Sequence, residues 1–253
     1  MTNVAQIYAL ETKFEFLKQI RRPAYAIATL GFPLMFYAFF GLMSNLHNNG
    51  MSLATYLLAT YGTFGVVGAS LFGFGVSVAL ERGAGWLLLK RASPMPPLAY
   101  FTAKLISATA FSALVVALLF AMGALFGGVH LPALTWLALG GALVIGALPF
   151  CAMGLALGYL ISPNSAVAVI NVINLPMSFV SGLWLPVNVL PPTVRHIAPF
   201  MPAYHLGQLA LGTIGAGGSQ PWYLHVIVLL AFTAAALSVA AFAYRRDEGE
   251  TYG

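Results

Sequence analysis

The sequence predicts an all-α polytopic membrane protein, and three observations carry that reading. Hydrophobic residues make up 60% of the 253-residue chain and charged residues 7%, against roughly 45–50% and 25% in soluble domains. Mean hydropathy is +0.88, and apolar runs recur that can cross a hydrocarbon core of ~30 Å as helices of about 20 residues. The alternating segments of about ten residues that mark a transmembrane β-barrel are not seen. Six spans are predicted, with both termini on the cytoplasmic side.

Residues 3–22 precede the first span. Ile7, Leu10, Phe14 and Leu17 recur at helical spacing, while Glu11, Glu15, Lys18 and Gln19 lie elsewhere on the wheel. This is an amphipathic interfacial helix, closed by Lys18, Arg21 and Arg22 beside acidic headgroups. It is either an anchor alone or an anchor that also touches a partner. The first span is 23–44, with Pro23 in its first turn and Pro33 as a mid-span kink. Ser44–Ser52 reads as a short uncharged outer loop.

The second span, 53–80, carries Gly62, Gly65, Gly68, Gly73 and Gly75. Gly65, Ala69 and Gly73 share a small-residue face, which lets helix backbones approach closely in lipid. That face serves ordinary packing within the chain, a subunit interface or a pore lining. The next stretch, Glu81–Lys104, is the longest polar interruption among the apolar runs. It holds Glu81, Arg82, Lys90, Arg91 and Lys104 around a short apolar piece, Trp86–Leu89, followed by Pro94, Pro96 and Pro97. The pattern predicts a short helix on the membrane surface, a proline-terminated turn and a new span. Such a helix, tied between two spans, can pass force from a soluble partner into the membrane. Glu81 either pairs with Arg82 or Lys104 at headgroup level or orients the surface helix against the end of span two.

The third span is 98–126, with Lys104 expected to snorkel to the interface. The fourth is 133–161, with Gly154 and Gly158 as a close-contact pair, and Ser162–Ser165 is a minimal inner turn. In the fifth, 166–187, Asn171 and Asn174 lie three residues apart on one face. Their amides either bond between helices or line a substrate path. Residues 188–222 are too rich in proline to span, and predict two short helices dipping into the outer leaflet on either side of Pro199–Pro202. Arg195, His196 and His205 fall here without the carboxylates that would support a metal site. The sixth span is 223–244, and Arg245, Arg246, Asp247 and Glu248 form the tail.

Charge sorting sets the orientation. Lys13, Lys18, Arg21, Arg22, Arg82, Lys90, Arg91, Arg245 and Arg246 fall inside and Lys104 at the boundary, leaving only Arg195 outside. Trp136, Trp184 and Trp222 are expected to form an outer aromatic belt. The net charge of +5 thus reflects topology rather than nucleic-acid binding. Cys151, the single cysteine, reads as a packing residue. There is no phosphate-binding G-x-x-x-x-G-K-[ST] loop, no H-E-x-x-H and no G-x-S-x-G, and no acidic residue deep in a span. Uphill movement would need energy from another chain.

Glu81, Arg82, Gly85, Pro94 and Lys104 match landmarks after the second span of the membrane subunits of ABC-2 type exporters. Leu190-Pro191 and Ile197-Ala198-Pro199 resemble that family's outer re-entrant region, and the amphipathic start also fits. Gly83-Ala84-Gly85 replaces the usual charged stretch. The resemblance covers nearly the whole chain and implies a single ABC-2 type transmembrane domain over 1–253. It implies a multi-pass permease of the multidrug type in a bacterial inner (cytoplasmic) membrane. This chain would pair with a second copy or a related permease, and with cytoplasmic subunits that bind ATP and Mg2+. The coupling helix would lie near 82–97, with Glu81, Arg82, Gly85, Trp86, Leu88 and Pro94 meeting the ATPase. Phe14, Leu17 and Arg21 would belong to the interface helix, and Gly65, Gly73, Asn171 and Asn174 to a substrate path along spans two and five. The implied cargo is hydrophobic or amphipathic, a drug-like molecule or a lipid. A lipid-linked polysaccharide or a non-transport scaffold role are the alternatives.

Overall fold

The computed structural model describes residues 4–43, 47–48, 51–92 and 95–252. Pro94, and much of the Ser44–Ser52 loop, lie outside the described residues. The chain forms α1 (Val4–Ile20), α2 (Pro23–Phe36, continued by a π-helical segment Tyr37–Leu42), α3 (Leu53–Ser70, continued by a π-helical segment Leu71–Val76) and α4 (Ser77–Gly83). There follow α5 (Trp86–Ala92), α6 (Pro97–Leu125), α7 (Ala133–Ile145), α8 (Ala147–Leu160), α9 (Ala166–Val180), α10 (Pro192–Ile197), α11 (Pro202–Thr213) and α12 (Trp222–Tyr252). Residues 47–48 and 51–52 pair as a minimal antiparallel ladder. Among the described residues, six helical stretches are long and apolar enough to cross a membrane: Tyr25–Leu42, Leu53–Gly83, Leu98–Leu125, Ala133–Leu160, Pro163–Val180 and Trp222–Asp247.

Local chemistry sets the helix ends. Ser52 caps α3 by accepting the Thr55 N–H at 3.2 Å, relieving one of the orphan donors at a helix start. Gly85 stops α4: it adopts φ 73°, a left-handed conformation that glycine enters without a Cβ penalty. The chain can therefore turn sharply from span two into α5. The fourth span is two helices rather than the single one expected. They meet at Gly146, where a Cβ would collide with Leu206 of α11. The fifth ends at Val180, short of the expected 187, because Gly182 turns the chain at φ 74°.

Span two is the axis of the bundle. Leu58, Val66, Val67, Ala69 and Leu71 have no exposed surface, and α2, α6, α8, α9 and α11 pack around α3 and its π-helical continuation. The small-residue face thus serves packing within the chain. A Cβ on Gly65 would lie 3.0 Å from Pro33 and would overlap Val115, and one on Gly73 would lie 3.1 Å from the Tyr25 hydroxyl. The closest backbone approach is to α8: a Cβ on Gly154 would sit 3.2 Å from the Gly75 nitrogen, and one on Gly158 3.0 Å from the Gly75 carbonyl oxygen. In lipid such contacts supply the dispersion attraction that holds helices together. α12 packs on α8 and α11 and turns Ile227, Leu230 and Phe242 outward. At the far end from α1, the 188–222 segment folds as α10 and α11 on either side of Pro199–Pro202. Buried His205 bonds His225 of α12 at 2.8 Å and the Pro199 carbonyl oxygen at 2.8 Å, fastening this segment to the bundle.

Candidate functional site

The charged residues gather at the end of the bundle that carries α1, and their arrangement corrects several expectations. The polar face of α1 is turned into the protein rather than toward headgroups. Glu15 and Gln19 are buried, while Phe14 is 62% exposed. α1 packs along α6, and the reason lies in one residue. Lys104 has no exposed surface and points inward instead of snorkelling. An ammonium has three N–H donors and no acceptor. Lys104 spends them on Glu15 at 2.6 Å, the Ser77 hydroxyl at 2.8 Å and Glu81 at 3.1 Å.

Glu81 is likewise buried, not an exposed headgroup-level carboxylate. It accepts from Lys104, from Lys18 and, through Oε2, from the Tyr100 hydroxyl at 2.7 Å. Lys18 also lies 3.6 Å from Glu15. Two carboxylates and two ammoniums therefore neutralise one another, as charges withdrawn from water must. Burial raises the Glu15 carboxyl, but the Lys104 and Lys18 ammoniums beside it outweigh burial and hold it below the usual glutamate range. The cluster joins three pieces of chain distant in sequence: α1, the end of span two and the start of α6.

Arg82 does not belong to this cluster. Its guanidinium donates to the Tyr159 and Ile161 carbonyl oxygens, the latter at 2.7 Å, and lies 3.6 Å from Asp247. It caps the end of α8 and ties in the tail of span six. Its role here is to hold helices together.

α5 hangs from the same end. Leu87 is buried, while Trp86, Leu88 and Leu89 are 55%, 44% and 71% exposed. Lys90 pairs with Glu11 of α1 and lies 4.6 Å from the centre of the Tyr100 ring. Buried Leu87 and the Lys90–Glu11 ion pair thus help to anchor α5, which presents an apolar surface outward. Gly85 supplies the turn that places it. Of the residues singled out on α1, Phe14 is exposed, Leu17 half-buried and Arg21 exposed.

A cavity of about 770 Å³ adjoins the charge cluster, between α1, α2, span two and α9. Glu15, Lys18 and Ser77 line it as well as belonging to the cluster. Gly65, Asn171 and Asn174 also line it, whereas Gly73 does not. The two asparagines bond within α9, not between helices: Asn171 donates to the Val167 carbonyl at 3.1 Å, and Asn174 accepts from Ser178 at 3.4 Å. At the far end the cavity is aromatic. Trp184 is turned inward from its expected place in a belt, stacking on Phe36 at 5.6 Å and meeting Phe64 edge-on at 5.7 Å. Its size suits a drug-sized ligand, for which sites run roughly 300–1,000 Å³.

Bundle, cluster and cavity define an integral membrane protein whose charged end is built to hold a surface helix. Residues 6–214 match the family model of the ABC-2 type transporter, and the chain belongs to that family. It is 26% identical over 235 residues to "Putative transport permease YvfS" of Bacillus subtilis (strain 168), an alignment covering 92% of this chain and 95% of that protein. The chain is therefore a multi-pass membrane protein of the ABC-2 type transporter family.

Proposed function

We propose that this permease is the membrane-spanning subunit of an ATP-driven exporter. Its charged end and both termini face the cytoplasm of a bacterial inner membrane. A separate subunit, which binds ATP and Mg2+, docks on α5, and the permease works with a second copy of itself or a related chain. Cargo is a hydrophobic or amphipathic molecule taken from the cytoplasm or the inner leaflet.

One observation carries this reading: the exposed apolar surface of α5 is joined to the wall of a ligand-sized cavity through α1, which holds α5 by the Glu11–Lys90 ion pair and carries Glu15 and Lys18 of the cavity wall. An apolar patch rimmed by charge is the usual shape of an interface centre. Here α5 connects through Lys90 and Glu11 to α1, and α1 through Glu15 and Lys18 to residues of the cavity wall. A displacement of α5 by a docked partner would be felt there.

The test is reconstitution with the soluble ATP-binding chain that co-purifies with the permease. Uptake of a fluorescent amphiphile into inverted vesicles, whose cytoplasmic face points outward, is expected to require both chains, ATP and Mg2+. Uptake that proceeds without the partner, or a permease that leaves the partner's ATPase rate unchanged, would contradict the proposal.

A further inference from the structure

We infer that the cavity between α1, α2, span two and α9 is a binding site for an amphiphile with an anionic head. The head sits at Arg21 and Arg22, and the apolar tail runs toward Trp184. Calling this ligand the cargo rests on the transport reading above; the site itself does not.

Charge at the cavity mouth is unbalanced. Lys18 and Lys104 are neutralised by Glu15 and Glu81. Arg21 and Arg22 also line the cavity, and among the described residues neither is paired with a carboxylate. Two guanidiniums are thus left over, at the edge of a low-dielectric space where an anion gains most from them. Gln19 closes the inner side of the mouth: it is 4% exposed and lines the cavity, while its amide nitrogen and oxygen are turned away into the protein. The two guanidiniums, both exposed, are therefore the donors that a head group in the cavity can reach.

The rest of the cavity fits a tail. From Pro23 to Phe36, α2 runs about 20 Å, comparable to one leaflet of hydrocarbon, roughly 15 Å. The wall along that length is Phe32, Pro33, Phe36, Phe64, Phe72 and Trp184. Phe32, Leu80, Val167 and Leu175 are exposed at its margins, so a tail can enter sideways from the membrane without passing through water.

The experiment uses the purified permease in neutral detergent, without ATPase, with Trp184 as the reporter after Trp86→Phe, Trp136→Phe and Trp222→Phe. Three probes share one brominated acyl chain and differ in head: carboxylate, glycerol ester and quaternary ammonium. Saturable quenching by the carboxylate is expected, with an affinity about tenfold or more above that of the ammonium. Arg21→Gln with Arg22→Gln should abolish that preference while leaving the glycerol ester's affinity in place. Equal quenching by all three probes, no quenching, or a preference that survives the arginine pair's removal would overturn the inference. So would loss of quenching when the chain dimerises, which would assign the cavity to a second copy. Displacement by phosphatidylglycerol would identify the ligand as a bilayer lipid, and resistance to it a free amphiphile; both support the site. If the tryptophan replacements fail to fold, native mass spectrometry of the unaltered chain decides. Retention of phosphatidylglycerol over phosphatidylcholine, lost in the arginine double variant, supports the site, and equal retention sinks it. Binding that persists while ATP-driven efflux fails would count against the exporter reading alone.

Discussion

Lys104→Met is expected to detach α1 from the bundle. The substitution leaves Glu15 and Glu81 buried with only Lys18 between them. Removing one partner of a buried ion pair typically costs about 3–5 kcal/mol, on the order of a hundredfold or more in the fraction of molecules with α1 released. Limited trypsin digestion at Lys13 and Lys18 in detergent reads that fraction. The control is the double variant Lys104→Met with Glu15→Gln, which leaves Lys18 and Glu81 as a matched pair. It is expected to recover most of the loss, so that the two changes are strongly non-additive. Equal cleavage of wild type and Lys104→Met would mean that α1 is held by its apolar contacts and not by the cluster.

Trp86→Ala has the second large expected effect, and it acts on association rather than folding. The ring is more than half exposed, with the Lys18 ammonium 6.0 Å from its centre, so the permease loses little of its own packing. If α5 seats in the ATPase, the exposed tryptophan that opens it is a natural anchor. Such residues typically cost about 2 kcal/mol or more on truncation, roughly thirtyfold in affinity. Titrating the ATP-binding subunit against the permease in nanodiscs measures this. Leu87→Ala is the contrasting case, since Leu87 faces the bundle: it should lower stability with a smaller effect on binding. Unaltered affinity in Trp86→Ala would make α5 an ordinary connector.

The spans were legible because hydrocarbon tolerates little besides apolar helices of a minimum length. The short helix α5 was legible from Gly85, the Trp86–Leu89 run and the prolines that follow it. The facing of α1 was not. A 3.6-residue periodicity separates two faces without saying which meets protein, and in a membrane the apolar face can turn outward. The missed signal was Lys104. A lysine within an apolar run demands a buried counter-charge, and Glu15 and Glu81 were among the few acidic residues that could supply it. Trp184 misled because a tryptophan near a predicted interface suits a belt and a cavity wall equally. The asparagines of α9 misled because an amide can be satisfied by the carbonyl of the preceding turn. His225 gave no sign of itself, since its partner His205 lies across a turn and a helix boundary. The close approach of Leu206 to Gly146, sixty residues away, is reported by no local pattern.

If the ion pairs transmit the partner's motion, then α1, α5 and the start of α6 move as one body. Spin labels at Phe14→Cys and Ala92→Cys, in a Cys151→Ser background, report the distance between α1 and α5. A second pair, Ala92→Cys with Phe200→Cys, reports α5 against the opposite end of the bundle. Phe14, Ala92 and Phe200 are all exposed. On adding the ATP-binding subunit and ATP, the Ala92–Phe200 distance should shift. The Phe14–Ala92 distance should stay within about 1 Å, the scale of a rigid interface. A Phe14–Ala92 distance that changes as much as the other would show that α5 moves independently of α1, and that the charge cluster carries nothing to the cavity.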